Sequence, residues 1–182
     1  LWPYSGTFSA VNALLEATGQ SKYKELLDKK VLPGLEEYFD TRREPQAYSS
    51  YIRTAPLSDR FYDDNVWLGI DFTDLYQMTK GAGYLEKARL IWNWCEQKKE
   101  SKNTCSNAPG AVLALKLFKA TGDTLFLSRG RVLYEWTKTH LQDSTDYLYF
   151  DNIRLDGKIG RAKFAYNSGQ MMQLLQLVLQ RK

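Results

Sequence analysis

The spacing of hydrophobic positions predicts a chain built mostly of amphipathic helices. From about Ser5 to Thr18, apolar residues recur three or four positions apart, as on one face of a helix, and Gly19 ends the pattern. The same spacing predicts further helices over about 21–39, 66–79, 84–94, 109–122, 124–141 and 168–179. Pro33 falls inside the second of these, where it is expected to kink the helix or to start a new turn.

Two segments depart from the helical spacing. Residues 41–60 are polar and contain Pro45 and Pro56, which predicts a long loop of the kind that often carries function. Between about 146 and 164 short alternating runs flank Asp156-Gly157, a dipeptide typical of tight hairpin turns. The sequence therefore predicts a small β-hairpin in an otherwise all-α chain.

An internal repeat connects the helices. A helix ends at Thr, Gly or Lys follows, and an aromatic residue stands five positions after the Thr. The three copies are Thr18-Gly19 with Tyr23, Thr79-Lys80 with Tyr84, and Thr121-Gly122 with Phe126. Helical hairpins that recur at a period of tens of residues are typical of helical arrays and helical barrels, so we assign the repeat to packing.

Two irregularities in the repeat predict that further helices belong to the fold. The predicted helix from Tyr84 is much shorter than its counterpart 126–141, so material is expected to be absent near Asn93-Trp94. The last helix lacks the turn and partner helix that the repeat predicts. The start, Leu1-Trp2-Pro3-Tyr4, reads like the interior of a protein, and a targeting segment is expected to be missing.

Composition narrows the class of protein. With 182 residues, 43% of them hydrophobic and 25% charged, we expect one globular domain over 1–182. The net charge of +4 is small and its Lys and Arg are scattered, which argues against a nucleic-acid or membrane surface and favours a neutral partner. No apolar run reaches the roughly 18 residues of a membrane span, so we expect no integral membrane segment.

The metal-binding residue types are too few for a zinc site. Cys95 and Cys105 have no metal-ligand spacing and His140 is the sole histidine, so neither a metal nor a cofactor is expected. The two cysteines form one disulfide or stay reduced, and the sequence leaves both states open.

The candidate chemistry lies at Asp63 and Asp64, adjacent carboxylates in an aromatic setting where the loop gives way to a helix. Glycosidic bonds are usually cleaved by two carboxyl groups, one protonated and one ionised. Two close carboxylates do not both ionise freely, whereas a helix N-terminus favours one negative charge. The pair therefore fits glycoside cleavage, and it also fits a routine helix N-cap.

Five blocks together resemble glycoside hydrolase family 76. They are Tyr62-Asp63-Asp64-Asn65-Val66-Trp67, then Leu75-Tyr76 through Thr79 with Tyr84-Leu85, then Ser106-Asn107-Ala108-Pro109, Leu117-Phe118-Lys119-Ala120-Thr121-Gly122-Asp123 and Tyr166-Asn167-Ser168-Gly169, in the family's order and approximate spacing. Members are α-1,6-mannanases on an (α/α)6 barrel. The resemblance implies an all-α fold, an (α/α)6 barrel represented only in part, with a β-hairpin insertion near 146–164.

The resemblance also implies residue roles. Asp63 becomes the nucleophile of a retaining double displacement and Asp64 the general acid/base. The residues implied in sugar binding are Tyr62, Asn65, Trp67, Asn107, Asp151, Tyr166 and Asn167. Each of three has a structural alternative: core packing for Trp67, helix capping before Pro109 for Asn107, and a turn carboxylate for Asp151. Asp71 and Asp74 are expected to be structural or exposed.

The expected partner is mannan or a mannose oligosaccharide, and the resemblance implies a monomer that is secreted, periplasmic or on the cell surface. The first alternative is a catalytically inactive glycan-binding or structural member of the same fold. A second is a sugar epimerase, because such enzymes share the helical barrel. Epimerases of this kind depend on histidines as proton carriers, and the lone His140 near a helix end makes that reading weak.

Overall fold

The computed structural model describes residues 1–97 and 102–179. The chain divides into two compact units, Leu1–Lys98 and Lys99–Lys182. The first unit contains α1 (Trp2–Thr18), α2 (Ser21–Leu26), α3 (Leu32–Glu36), β1 (Phe39–Asp40), β2 (Ala47–Tyr48), α4 (Tyr62–Thr79) and α5 (Ala82–Glu96). The second contains α6 (Thr104–Thr121), α7 (Thr124–Leu141), β3 (Phe150–Ile153), β4 (Ile159–Lys163) and α8 (Ala165–Leu179).

The core of the first unit lies along α4, which packs against α1 on one side and α5 on another. Phe8 of α1 meets Phe72 of α4 edge-on at 5.0 Å between ring centroids, and Tyr48 of β2 lies 6.5 Å from Phe72. Ser9 donates a 2.6 Å hydrogen bond to the carboxylate of Asp71, which ties α1 to α4 and gives Asp71 the structural role expected for it.

In the second unit, α6 packs against both α7 and α8. The helices α6 and α7 approach closely at Gly130, where an added Cβ would lie 3.1 Å from the Cβ of Ala114. The turn of α6 from Ala111 to Leu115 is buried on all sides. A small residue at the crossing therefore sets how closely these two helices pack.

The repeat read from the sequence is confirmed as a shared helix-ending device. The residue after each terminal Thr adopts left-handed backbone, at Gly19 (φ 63°), Lys80 (φ 60°) and Gly122 (φ 75°). In each copy the Thr hydroxyl donates to the carbonyl four residues earlier and accepts a backbone N–H two residues later. The second bond gives the backbone N–H just beyond the helix end an acceptor.

Several predicted helix bounds were wrong in ways that bear on the candidate site. The helix α4 begins at Tyr62 rather than Val66, and α8 at Ala165 rather than Ser168, so polar residues assigned to loops stand in first helical turns. The helix α6 begins at Thr104, with Pro109 inside it. Polar first turns carry no apolar periodicity, which is the reason the pattern missed them.

The remaining differences concern the first unit. The helix α5 runs to Glu96, so it is longer than the short helix expected near Asn93-Trp94. A widened π-helical turn spans Leu27–Val31, and α3 begins after it at Leu32, so Pro33 stands in the first turn of a new helix, one of the two outcomes predicted for it. The predicted loop is long but not structureless, because β1 and β2 pair antiparallel within it.

The predicted hairpin is confirmed, with β3 and β4 antiparallel and Gly157 at φ 81° in the turn between them. None of the helices within 1–97 and 102–179 is long and apolar enough to cross a membrane. The prediction of a single domain over 1–182 stays a prediction.

Candidate active site

The adjacent carboxylates Asp63 and Asp64 stand in the first turn of α4. The N-cap is Phe61, whose side chain makes no capping hydrogen bond, so neither aspartate is the routine cap that the sequence also allowed. The first turn of a helix presents unpaired backbone N–H groups and a partial positive charge, which stabilise one nearby carboxylate. The local fold therefore offers a setting in which one of the two ionises readily.

The two carboxyl groups have unequal surroundings. Asp64 is only 8% exposed, whereas Asp63 is half-buried. Burial, and then the negative charge of Asp63, raise the pKa of Asp64 to about 6. One buried acid beside one more accessible carboxylate is the asymmetry that acid/base chemistry on a glycosidic bond requires.

We predict that Asp64 titrates near pH 6 and that Asp63→Asn lowers this value while leaving it above 3.8, because burial, the larger cause, remains. Carboxyl carbon NMR over pH 3–9 measures the pKa of Asp64 in the unaltered protein and in Asp63→Asn. Since a general acid must carry its proton, hydrolysis should fall as pH rises through the Asp64 value. A value near 3.8 in the unaltered protein would contradict the asymmetry.

Asn65 anchors the helix start and is fully buried. Its Oδ1 accepts from the Tyr48 amide at 2.8 Å, and its Nδ2 donates to the carbonyls of Tyr48 and Phe61, each at 2.9 Å. Both amide hydrogens are thus committed to backbone, so the geometry gives Asn65 a positioning role and leaves no hydrogen for a sugar. The sugar-binding role implied for it stays a prediction that this geometry disfavours.

The loop before α4 is held by buried charge. The Asp40 carboxylate is 1% exposed and accepts from Arg43 Nε at 2.6 Å and Arg42 Nε at 3.2 Å. Although burial opposes it, these bonds hold the pKa of Asp40 at about 2. Arg60 closes the loop by donating to the carbonyls of Arg43 and Pro45. The carboxylate pair is therefore preceded by a braced loop rather than a free one.

Tyr62 and Trp67 flank the pair in different ways. Burial, and then the nearby Cys95 and Glu96 of α5, raise the pKa of Tyr62. Trp67 is partly exposed and lines a surface depression of about 310 Å³ with Trp2 and residues of α1. Trp67 is therefore not fully buried in the core, and its sugar-binding role stays a prediction.

The second unit brings its predicted site residues together through short contacts. Asp151 Oδ1 lies 3.5 Å from Asn167 Nδ2, and Asp151 Oδ2 accepts from Asn152 Nδ2 at 2.9 Å. Asn152 pairs by backbone with Asn103, whose carbonyl accepts from Asn107 Nδ2 at 2.9 Å. Three of the predicted residues, Asn107, Asp151 and Asn167, are thus joined through two that the sequence did not single out.

Asn167 and Tyr166 share the first turn of α8 but have opposite environments. Asn167 is fully buried, and its Oδ1 has no hydrogen-bond partner within the described ranges. Tyr166 is 51% exposed, and its ring stacks on that of Phe164 at 5.4 Å and 4°. Phe164 was missed by the sequence reading, although an aromatic two positions before the Tyr-Asn pair was a usable signal. The unit thus offers a buried polar cluster beside an exposed aromatic face.

Asp63 and Asp64 belong to the first unit, whereas Asn107, Asp151, Tyr166 and Asn167 belong to the second. That they meet at one barrel mouth stays a prediction. Cys95 is buried in the first unit, and Cys105 is half-buried in the second. Within residues 1–97 and 102–179, no group of three His, Cys, Asp or Glu side chains is placed to hold a metal ion.

Comparison with known proteins gives these units a context. The sequence model described as glycosyl hydrolase family 76 matches residues 91–178. No curated protein matches the chain. Among solved structures, a family 76 mannosidase from Bacteroides thetaiotaomicron superposes with a TM-score of 0.86 at 30% identity, covering 97% of this chain and 54% of that one.

The α-1,6-mannanase of Salegentibacter sp. HEL1_6 matches with a TM-score of 0.82 at 29% identity, over 98% of this chain and 54% of its own. The structure of an inactive variant of that mannanase, with two consecutive aspartates changed to asparagine, contains α-1,6-mannotriose. It matches with a TM-score of 0.81 at 28% identity, over the same shares of the two chains. The chain thus spans about half the length of these relatives. The predicted fold class, an (α/α)6 barrel represented in part, is confirmed.

Proposed function

We propose that this chain, which belongs to glycoside hydrolase family 76, carries the catalytic pair of an enzyme that cleaves α-1,6-mannosidic bonds within mannan. The observation that carries the proposal is the placement of Asp63 and Asp64 in one helical turn, with Asp64 buried and its pKa raised to about 6. The complexes of the related mannanase with mannose oligosaccharides support the substrate class.

The proposed reaction is a retaining double displacement. The Asp63 carboxylate attacks the anomeric carbon while the glycosidic C–O bond breaks, and Asp64 gives its proton to the departing oxygen. Water then attacks the mannosyl ester of Asp63, and the Asp64 carboxylate accepts the proton of that water. The raised pKa of Asp64 supports its assignment, because the first step needs it protonated and the second needs it ionised.

The polar cluster of the second unit supplies sugar contacts in this proposal. Asp151 accepts hydrogen bonds from sugar hydroxyls, and the buried Asn167 supports it by donating to its carboxylate. Asn107 is linked to this cluster through the backbone bridge between Asn103 and Asn152. The exposed ring of Tyr166 and the accessible ring of Trp67 suit the apolar face of a pyranose. No cofactor takes part. In this proposal the protein is a monomer, and it is secreted, periplasmic or at the cell surface.

Digestion of linear α-1,6-mannan by the protein that contains this chain tests the proposed function. We expect mannose oligosaccharides to appear before free mannose, because cleavage is internal, and we expect a purely α-1,2-linked mannan to stay intact. Size-resolved chromatography of timed samples measures both. Asp59→Asn is the matched control, since it makes the same chemical change at an exposed residue of the preceding loop.

The alternative of an inactive glycan-binding member makes the opposite prediction. It requires retention of α-1,6-mannan on an affinity gel with no oligosaccharide released after prolonged incubation. Release of oligosaccharides that persists in Asp63→Asn and Asp64→Asn would remove the pair from the mechanism altogether.

A further inference from the structure

In the β3–β4 hairpin, Asn152 contacts the Asp151 carboxylate and lies opposite Gly160. We call this arrangement of Gly160, Asn152 and Asp151 the relay. Asn152, the next residue in β3, donates from Nδ2 to Asp151 Oδ2 at 2.9 Å. Asn167 Nδ2, from α8, lies 3.5 Å from the other carboxylate oxygen. Each oxygen of Asp151 thus faces one amide donor. Because a carboxylate oxygen has two acceptor sites, one site on each oxygen stays available to a ligand.

The position of the Asn152 amide depends on the residue opposite it. Asn152 pairs with Gly160 across the hairpin. A Cβ at Gly160 would lie 2.4 Å from Asn152 Oδ1 and 3.2 Å from its Cγ, but 3.6 Å from the backbone oxygen. Only glycine therefore leaves space for this side chain, and the clash that any other residue makes is with the amide and not with the strand.

The outer end of that amide occupies the space that glycine leaves open at position 160. Asn152 Oδ1 is buried and has no hydrogen-bond partner in the part of the chain that the structure describes. A buried acceptor left without a partner costs free energy, so the amide is not placed there by its oxygen. The bond from Nδ2 to Asp151 fixes the amide, and the absence of a side chain at Gly160 leaves room for it.

The backbone is irregular at the same point. Phe150 pairs with Lys163 and Asn152 with Gly160, so a single residue of β3, Asp151, faces two residues of β4. A bulge of this kind bends the strand and turns a side chain out of the regular alternation. The bulge and the relay both act on Asp151, the one carboxylate of the hairpin strands.

We propose that Asn152 and Gly160 are positioning residues that fix the Asp151 carboxylate to accept two hydroxyl donors of a bound sugar. The inference rests on the proposed function, in which Asp151 contacts the substrate. It assigns roles to two residues that have none in that proposal. It also states the ligand chemistry: a pair of neighbouring sugar hydroxyls, one for the open acceptor site on each oxygen.

Steady-state kinetics of the protein on a mannose oligosaccharide test the roles. Asn152→Ala and Gly160→Ala are each expected to raise KM by about 10- to 100-fold, the cost of a misplaced binding group, with a much smaller change in kcat. Gly83→Ala is the matched control, because an added Cβ there meets nothing within 4 Å. Unchanged KM in Asn152→Ala would overturn the proposal.

The double variant separates positioning from general damage to the hairpin. Once residue 152 is alanine, Gly160→Ala has no amide to displace, so it should cause no further rise in KM. Effects of the two substitutions that multiply would show that Gly160 acts independently of Asn152, and would overturn the relay.

Side-chain amide NMR tests the relay without any substrate. The Asn152 Nδ2 protons should exchange slowly with solvent, and Gly160→Ala should speed their exchange while Gly83→Ala leaves it unchanged. Fast exchange in the unaltered protein would overturn the relay even if mannan is cleaved. Slow exchange in a protein that neither binds nor cleaves mannan would instead overturn the proposed function, along with the sugar-binding part of the inference.

Discussion

Asp64→Asn should lower kcat/KM on α-1,6-mannan by about 10²- to 10⁴-fold, the usual contribution of a general acid/base. The amide cannot protonate the departing oxygen, and it cannot later take a proton from water. Asp63→Asn should leave no measurable activity, because no covalent intermediate can form. Timed release of reducing ends measures both losses, and Asp59→Asn, exposed on the preceding loop, should match the unaltered protein.

An activated aryl mannoside separates the two roles. A good leaving group departs without a proton, so Asp64→Asn should still form the mannosyl ester and release a burst of about one phenol per active site before turnover slows. Asp63→Asn should give no burst. A burst from Asp63→Asn and none from Asp64→Asn would reverse the assignment of nucleophile and acid/base.

Asn65→Ala should lower the free energy of unfolding by about 2 to 4 kcal/mol, because it removes the side-chain acceptor of the buried Tyr48 amide and the side-chain donor to the Tyr48 and Phe61 carbonyls. Three hydrogen bonds are lost at a residue that is 0% exposed. Urea unfolding measures the change. Activity should fall as well, since the turn that carries the carboxylates is no longer tied to Tyr48.

The control for this prediction is Asn93→Ala, an exposed position on α5 where the same substitution should change stability by no more than about 0.5 kcal/mol. Asn65→Asp adds a second test, because a carboxylate oxygen would then face the carbonyls of Tyr48 and Phe61. It should destabilise more at neutral pH than in acid. A loss below about 1 kcal/mol for Asn65→Ala would show that water or relaxation satisfies the exposed groups.

Much of the fold was predictable because it repeats. The Thr-Gly or Thr-Lys helix endings at 18, 79 and 121 follow one local geometry, and a local geometry can be read from a few neighbouring residues. The Asp156-Gly157 turn is of the same kind, since Gly157 adopts a positive φ. Where a few neighbouring residues fix a backbone conformation, that conformation can be predicted from the sequence.

The first turns of α4 and α8 were not predictable from periodicity. Their polar residues are covered by segments distant in sequence. Asn65 bonds to Tyr48 of β2, and Asn167 contacts Asp151 of β3, so their burial depends on long-range contacts. Hydrophobic spacing reports which residues face an apolar core, so it does not reveal a buried amide.

The carboxylate pair itself was found from the sequence, but the burial that distinguishes its two members was not. That two adjacent aspartates would differ was an expectation from general electrostatics. Which of them is buried depends on the packing around the start of α4, and it is Asp64. The roles of Asn152 and Gly160 had no signal in the sequence, because the two residues become neighbours only when β3 and β4 pair.

The anomeric form of the first product tests the central claim most directly. Proton NMR of the α-1,6-mannan digestion, recorded within the first minutes, distinguishes α from β reducing ends before they interconvert. If Asp63 attacks and Asp64 serves as acid and then base, the new reducing ends appear as the α anomer, with the configuration of the cleaved bond retained. Initial appearance of the β anomer would contradict the account, because it would mean that water, and not Asp63, attacks the sugar.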